Sequence, residues 1–187
     1  MRFIGPLLVI LLAFIADHYS KWVAFGYLFQ KDASFDFPSF GEWIGYSASV
    51  PETFFLEPMF PHFNLVTVWN KGVSFGMMAS DGGLGTWLLA GLTLVISVFF
   101  LVWMVKADYT PLRYALALVI GGALANLWDR VRFGGVADFL DFYYGQWHYP
   151  AFNLADSFIC VGIGFVVIDN LFLEPRRNKS VEIETRG

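Results

Sequence analysis

Three carboxylates, Asp17, Asp129 and Asp156, lie inside or at the border of long apolar runs. Two share a local pattern. Asn126-Leu-Trp-Asp129 and Asn153-Leu-Ala-Asp156 each place an amide three residues before an acid. On a helix those two positions share a face, and an amide offers both a donor and an acceptor. Between the pairs, Gly134-Gly135-Val136-Ala137-Asp138-Phe139 adds a further acid. Two carboxylates in one site cannot both ionise cheaply, so one pKa rises and the pair shares a proton. The ionised member can then deprotonate a water while the protonated member donates to a carbonyl oxygen or leaving group. Serine and cysteine nucleophiles lack a suitably placed histidine base.

The elements that must position these groups are membrane spans. Of 187 residues, 57% are apolar and 15% charged, against a usual ~45–50% and ~25%. The mean hydropathy is +0.56. Such a chain is neither disordered nor an ordinary soluble globule. Its net charge of −4 gives no footprint for nucleic acid. One cysteine allows no internal disulfide. A spanning helix needs about 20 mostly apolar residues. The clearest candidate is Gly82–Val105, with 24 residues and no charge. Flanking candidates cover about 3–25, 111–128 and 155–173, with Pro111 suited to a first helical turn. The expected fold class is an all-α membrane protein with four transmembrane helices and a small β-containing segment outside. Residues 1–175 form one domain, and 176–187 a cytoplasmic tail. A cleaved signal peptide over 1–25 is the competing reading, but no A-x-A signature follows its apolar core.

Basic residues favour the cytoplasmic side. Arg2, Lys106 with Arg113, and Arg176, Arg177 and Lys179 all fall on one face if four spans alternate. Both termini are then cytoplasmic, and segments 26–81 and 129–153 lie outside. With a rise of about 1.5 Å per residue, Asp17, Asp129 and Asp156 stand about 22, 24 and 27 Å above that face. They converge near the outer surface. Residues 29–63 are rich in Phe and Pro, as suits a layer at the headgroups. His62–Trp69 reads as a strand, and a second strand is expected over Gly135–Tyr144. Gly121, Gly122, Ala123 and Ala125 permit a close approach to the third span.

Plainer roles compete for each residue. Asp129 can cap a span or pair with Arg130. Asp17 and Lys21, at i and i+4, can form an orienting ion pair. Asp138 and Asp141 can be solvated loop residues, and Asp156 can serve a helix N-terminus. Cys160 is expected to pack, while His62 and His148 are too isolated for a metal site. A proton- or ion-coupled transporter is the main alternative, although its acids belong near the midplane. A scaffolding protein is a third reading.

The ordered set Asp17-His-Tyr-Ser-Lys21, Asn70-Lys-Gly72-Val-Ser-Phe75-Gly76, Gly121 to Arg130, Gly135-Val-Ala-Asp138-Phe139 and Phe152-Asn153-Leu-Ala-Asp156-Ser157 resembles lipoprotein signal peptidases (signal peptidase II). That resemblance implies a four-span aspartic endopeptidase of the bacterial inner membrane. Such enzymes remove signal peptides from diacylglyceryl-modified prolipoproteins, cutting before the lipidated cysteine. It implies Asp138 and Asp156 as the catalytic pair and Asn70, Asn126, Arg130 and Asn153 as substrate-binding. Asp17, Lys21, Gly72 and Asp129 are implied as supporting. No metal or cofactor is implied, and the expected partners are substrate and membrane lipid, with the chain working as a monomer. Two departures are Ala125 where glycine is usual and His18 where glutamine is common. The first outer segment is also longer than usual.

Overall fold

The computed structural model describes residues 2–32, 35–45, 51–72 and 84–175. Among them, four helices are long and apolar enough to cross a membrane. They are α1 (Ile4–Phe29), α3 (Leu84–Lys106), α4 (Thr110–Phe133) and α5 (Leu154–Ile168), the last extended by a π-turn over Asp169–Leu173. A short α2 (Phe40–Gly45) follows α1 outside the membrane-spanning set. Strands β1 (Leu56–Phe60), β2 (Phe63–Asn70), β3 (Val136–Tyr144) and β4 (Trp147–His148) form one antiparallel sheet in that order. Both expected strands are present, each shifted by one residue at its start.

The bundle is apolar on its outer face and encloses both an apolar core and a group of buried polar side chains. Leu7, Leu8, Leu11 and Leu12 of α1 are exposed, whereas Asp17, His18 and Lys21 are fully buried. That arrangement suits lipid as solvent, because a buried polar group needs a protein partner there. Helix α4 is central, packed by α1, α3 and α5. Its small residues let backbones meet. A Cβ on Gly121 would stand 2.8 Å from the Ile10 carbonyl of α1, and one on Gly122 2.5 Å from the Ala155 carbonyl of α5. Gly162 answers from α5, where a Cβ would come within 2.7 Å of the Ala115 carbonyl. Cys160, expected to pack, is instead exposed on the outer face of α5.

Helix ends differ from their expected positions for local reasons. The third span does not stop at Trp128, and α4 carries Asp129, Arg130 and Arg132 inside its last turns. Gly134 ends it in the left-handed region (φ 70°), its N–H bonded to the Arg130 carbonyl. Helix α1 continues to Phe29 because Leu28 and Phe29 are fully buried. Asn153 is not helical but is the N-cap of α5, at φ −130° and ψ −177°. Its side chain accepts from the Asp156 N–H while Asp156 accepts from the Asn153 N–H, a reciprocal capping box.

The aromatic outer segment is more than a headgroup layer. Phe35, Phe37, Phe40, Trp43 and Phe55 pack on Phe25, Phe29, Trp69 and Phe133, building a second core between α1, α4 and the sheet. Phe54 and Phe60 remain exposed. This core fixes the sheet over the C-terminal ends of α1 and α4.

Candidate active site

Strand β3 leaves α4 through the tight turn at Gly134. The Asp129 carboxylate accepts from the Ala137 N–H at 3.2 Å, pinning the start of the strand. Next along it, Asp138 is 1% exposed and faces Val68 of β2 in register. A bridge between Leu140 and Phe152 brings the chain just before α5 alongside β3, which seats Asn153 against Asp138.

Two carboxylates share a scaffold of amides. Asn153 Nδ2 donates to Asp138 Oδ1 at 2.7 Å and to Asn126 Oδ1 at 3.1 Å. Asn126 Nδ2 donates to Asp156 Oδ1 at 2.7 Å. Asn70 Nδ2 donates to Asp138 Oδ2 at 3.0 Å, held in place because its own Oδ1 accepts from the Gly72 N–H at 2.9 Å. That turn needs Gly72 in the left-handed region (φ 79°), where a side chain would also strike Leu89. Burial, reinforced by the nearby Asp156 charge, pushes Asp138 from its ordinary 3.8 up to about 7, despite the opposing hydrogen bonds from Asn70 and Asn153. Arg130 donates to the Asn126 carbonyl at 3.2 Å and lies within electrostatic reach of Asp156, Asp138 and Asp129.

A second polar cluster lies beside the first. Lys21 Nζ contacts Asp17 Oδ2 at 2.6 Å and Asp129 Oδ2 at 2.7 Å, all three side chains being fully buried. It also reaches Asn126 Oδ1 at 3.4 Å, joining the two clusters. Asp17 Oδ1 accepts from the Ala155 N–H at 2.8 Å, serving the N-terminus of α5.

The signal peptidase (SPase) II family profile matches residues 9–172. The chain belongs to that family. A lipoprotein signal peptidase of Serratia proteamaculans is 47% identical over 128 residues, covering 67% of this chain and 75% of that one. One of Photorhabdus laumondii is 46% identical over 120 residues, covering 63% and 71%. A bacterial membrane enzyme solved in meso at 1.9 Å shares the fold, with TM-score 0.65 and 24% identity over 91% of this chain and 95% of that one. Membership in the signal peptidase II family sets the transporter alternative aside, and the chain is a multi-pass membrane peptidase.

The expected catalytic, substrate-binding and supporting residues lie in these two clusters or, for Gly72, in the turn that orients Asn70. Residues 73–83, including Phe75 and Gly76 of the same motif, lie outside the described residues, as does the expected tail at 176–187. Asp138 and Asp141 are not solvated: Asp141 is 5% exposed, taking Asn64 Nδ2 at 2.7 Å and His148 Nδ1 at 2.9 Å. Sequence reading passed over His18 and Arg132 as site residues. His18 is fully buried with Nδ1 3.6 Å from Asp129 Oδ1, and Arg132 pairs with the same oxygen at 3.0 Å. His18 stands three residues before Lys21, on its face of an apolar helix, which was the available signal.

Proposed function

We propose that this chain is an aspartic endopeptidase that removes signal peptides from diacylglyceryl-modified prolipoproteins, with Asp138 and Asp156 as its catalytic pair. The observation that carries the reading is the amide bridge through Asn153 and Asn126, which holds two carboxylates in one site, where burial and the neighbouring Asp156 charge raise the Asp138 pKa. The lipoprotein substrate comes from the names of the relatives.

The chemistry needs one proton between the pair. The ionised carboxylate takes a proton from water as its oxygen attacks the scissile carbonyl. The protonated partner donates to the carbonyl oxygen, giving a neutral tetrahedral intermediate. Collapse returns that proton, the C–N bond breaks, and the first carboxyl hands its proton to the leaving amine. Asn126 and Asn153, expected from sequence to bind substrate, are buried and committed to holding the carboxylates in place, which leaves Asn70 and Arg130 as the groups available to the substrate backbone. The site stands at the outer ends of α1, α4 and α5, where a signal helix lying in the membrane would present its cleavage point. Both termini are cytoplasmic in this reading, the site faces the outer side of the bacterial inner membrane, and one copy suffices.

The test uses purified protein in detergent with a synthetic peptide carrying a diacylglyceryl cysteine. Cleavage should occur before that cysteine and depend on the lipid. Asp138→Asn and Asp156→Asn should each lower turnover by about 10²–10⁴ while both variants remain folded. Near-normal turnover in either variant overturns the pair.

A further inference from the structure

Helix α2 belongs to the outer segment whose extra length the family resemblance leaves unexplained, and its last carbonyls are held by side chains of α4. Arg132 Nη1 donates to the Trp43 carbonyl, and Trp128 Nε1 donates to the Ile44 carbonyl at 3.0 Å. The Arg132 guanidinium lies 4.2 Å from the Phe133 ring centre, with Trp43 and Trp128 at 5.8 and 5.9 Å. Its side chain is 3% exposed. Its other nitrogen, Nη2, donates to Asp129 Oδ1 at 3.0 Å. That leaves Asp129 Oδ2 to Lys21 and to the Ala137 N–H. Ala137 is the residue before Asp138.

We propose that α2 and Arg132 form a positioning brace for Asp138. The path runs from the α2 carbonyls through Arg132 to Asp129, and from Asp129 to the backbone of β3. A carboxylate turns readily about its terminal torsion. A planar guanidinium that donates to the Trp43 carbonyl and lies over the Phe133 ring fixes that torsion, as an ammonium on a flexible stem does not. Arg132 touches none of the proposed reacting atoms, so its role is positioning. The inference rests on Asp138 being catalytic.

Steady-state kinetics on the diacylglyceryl-cysteine peptide test this, using the full chain with thermal unfolding measured alongside. Arg132→Met should lower kcat about 10- to 100-fold, the effect of a misplacement near 1 Å, with KM within about twofold. Arg132→Lys restores the charge without the fork and should recover part of that loss. Trp128→Phe removes the Ile44 hydrogen bond, replaces the ring beside Arg132 with a smaller one, and should lower kcat a few-fold by the same route. Wild-type kcat in Arg132→Met overturns the brace, as does a loss matching only the unfolded fraction or a rise confined to KM. If Arg132→Met does not fold, Trp128→Phe decides alone, and an unchanged kcat there overturns it. Asp138→Asn separates the two readings. Should it stay active, the catalytic pair is wrong. Should it be inactive while Arg132→Met and Trp128→Phe turn over normally, only the brace falls.

Discussion

Four carboxylates gather where the sheet meets α1, α4 and α5, and the protein treats them in two ways. Asp17 and Asp129 meet a buried ammonium, with Arg132 adding a second cation to Asp129. Asp138 and Asp156 meet neutral amides instead. A cation satisfies a buried carboxylate and fixes its charge state. An amide satisfies its geometry and leaves the proton free to come and go. In the proposed reading, the partner's charge is what separates the scaffold from the site that moves protons.

Removing the cation should give the largest effect. Lys21→Met leaves Asp17 and Asp129 without their shared charge, and breaking such a buried pair costs about 3–5 kcal/mol. Thermal unfolding in detergent should show a large fall, with activity lost through folding. An unchanged midpoint would mean that the ion cluster holds nothing together.

The amide cluster should respond in turnover rather than in stability. Asn153→Ala removes a hydrogen bond to a charged group, worth about 1.5–3 kcal/mol, or about 10- to 100-fold in kcat. Because Asn153 also caps α5, a modest drop in melting temperature should accompany it. A large stability loss with kcat intact would place both clusters in the scaffold.

The pH dependence sharpens the same contrast. Folded Asp138 keeps its proton to about 7, whereas the unfolded chain releases it near the ordinary 3.8. Between those values the folded state binds more protons, so this residue's contribution to stability falls as pH rises and levels off above about 7. Asp138→Asn should remove that slope in melting curves taken across the window. Wild-type turnover should decline as pH passes about 7, when the shared proton is lost.

The smallest effect belongs to the half-exposed His148, whose ring meets Asp141. His148→Gln should shift stability by no more than about 1 kcal/mol, as expected for a partly solvated pair. A larger change in unfolding would make the β3–β4 hairpin part of the site's support.

Much of this was legible in the sequence. Long apolar runs marked the spans, and rise per residue placed Asp17, Asp129 and Asp156 at one level, where all three now touch the same network. What escaped reading depended on partners. Hydropathy ended the third span at Trp128, yet Asp129 and Arg132 continue the helix because Lys21, Trp43 and each other satisfy them. Asn153 and Asp156 looked like one helical face and proved to be a cap, since a capping pair and an i, i+3 pair share a spacing. The phenylalanines of residues 35–55 gave no sign of their packing, because aromatic composition does not distinguish a buried ring from an interfacial one. Cys160 was misjudged for the same reason: in lipid, an apolar helix gives little warning of which face is covered.

Among the described residues, strand β1 is the longer of the sheet's two edge strands, and Pro58 sits in its middle beside Glu57. Proline brings no N–H to that margin and glutamate brings a charge, so a neighbouring copy drifting in the same plane finds an interrupted ladder. Crowding along the membrane therefore need not zip such molecules into ribbons.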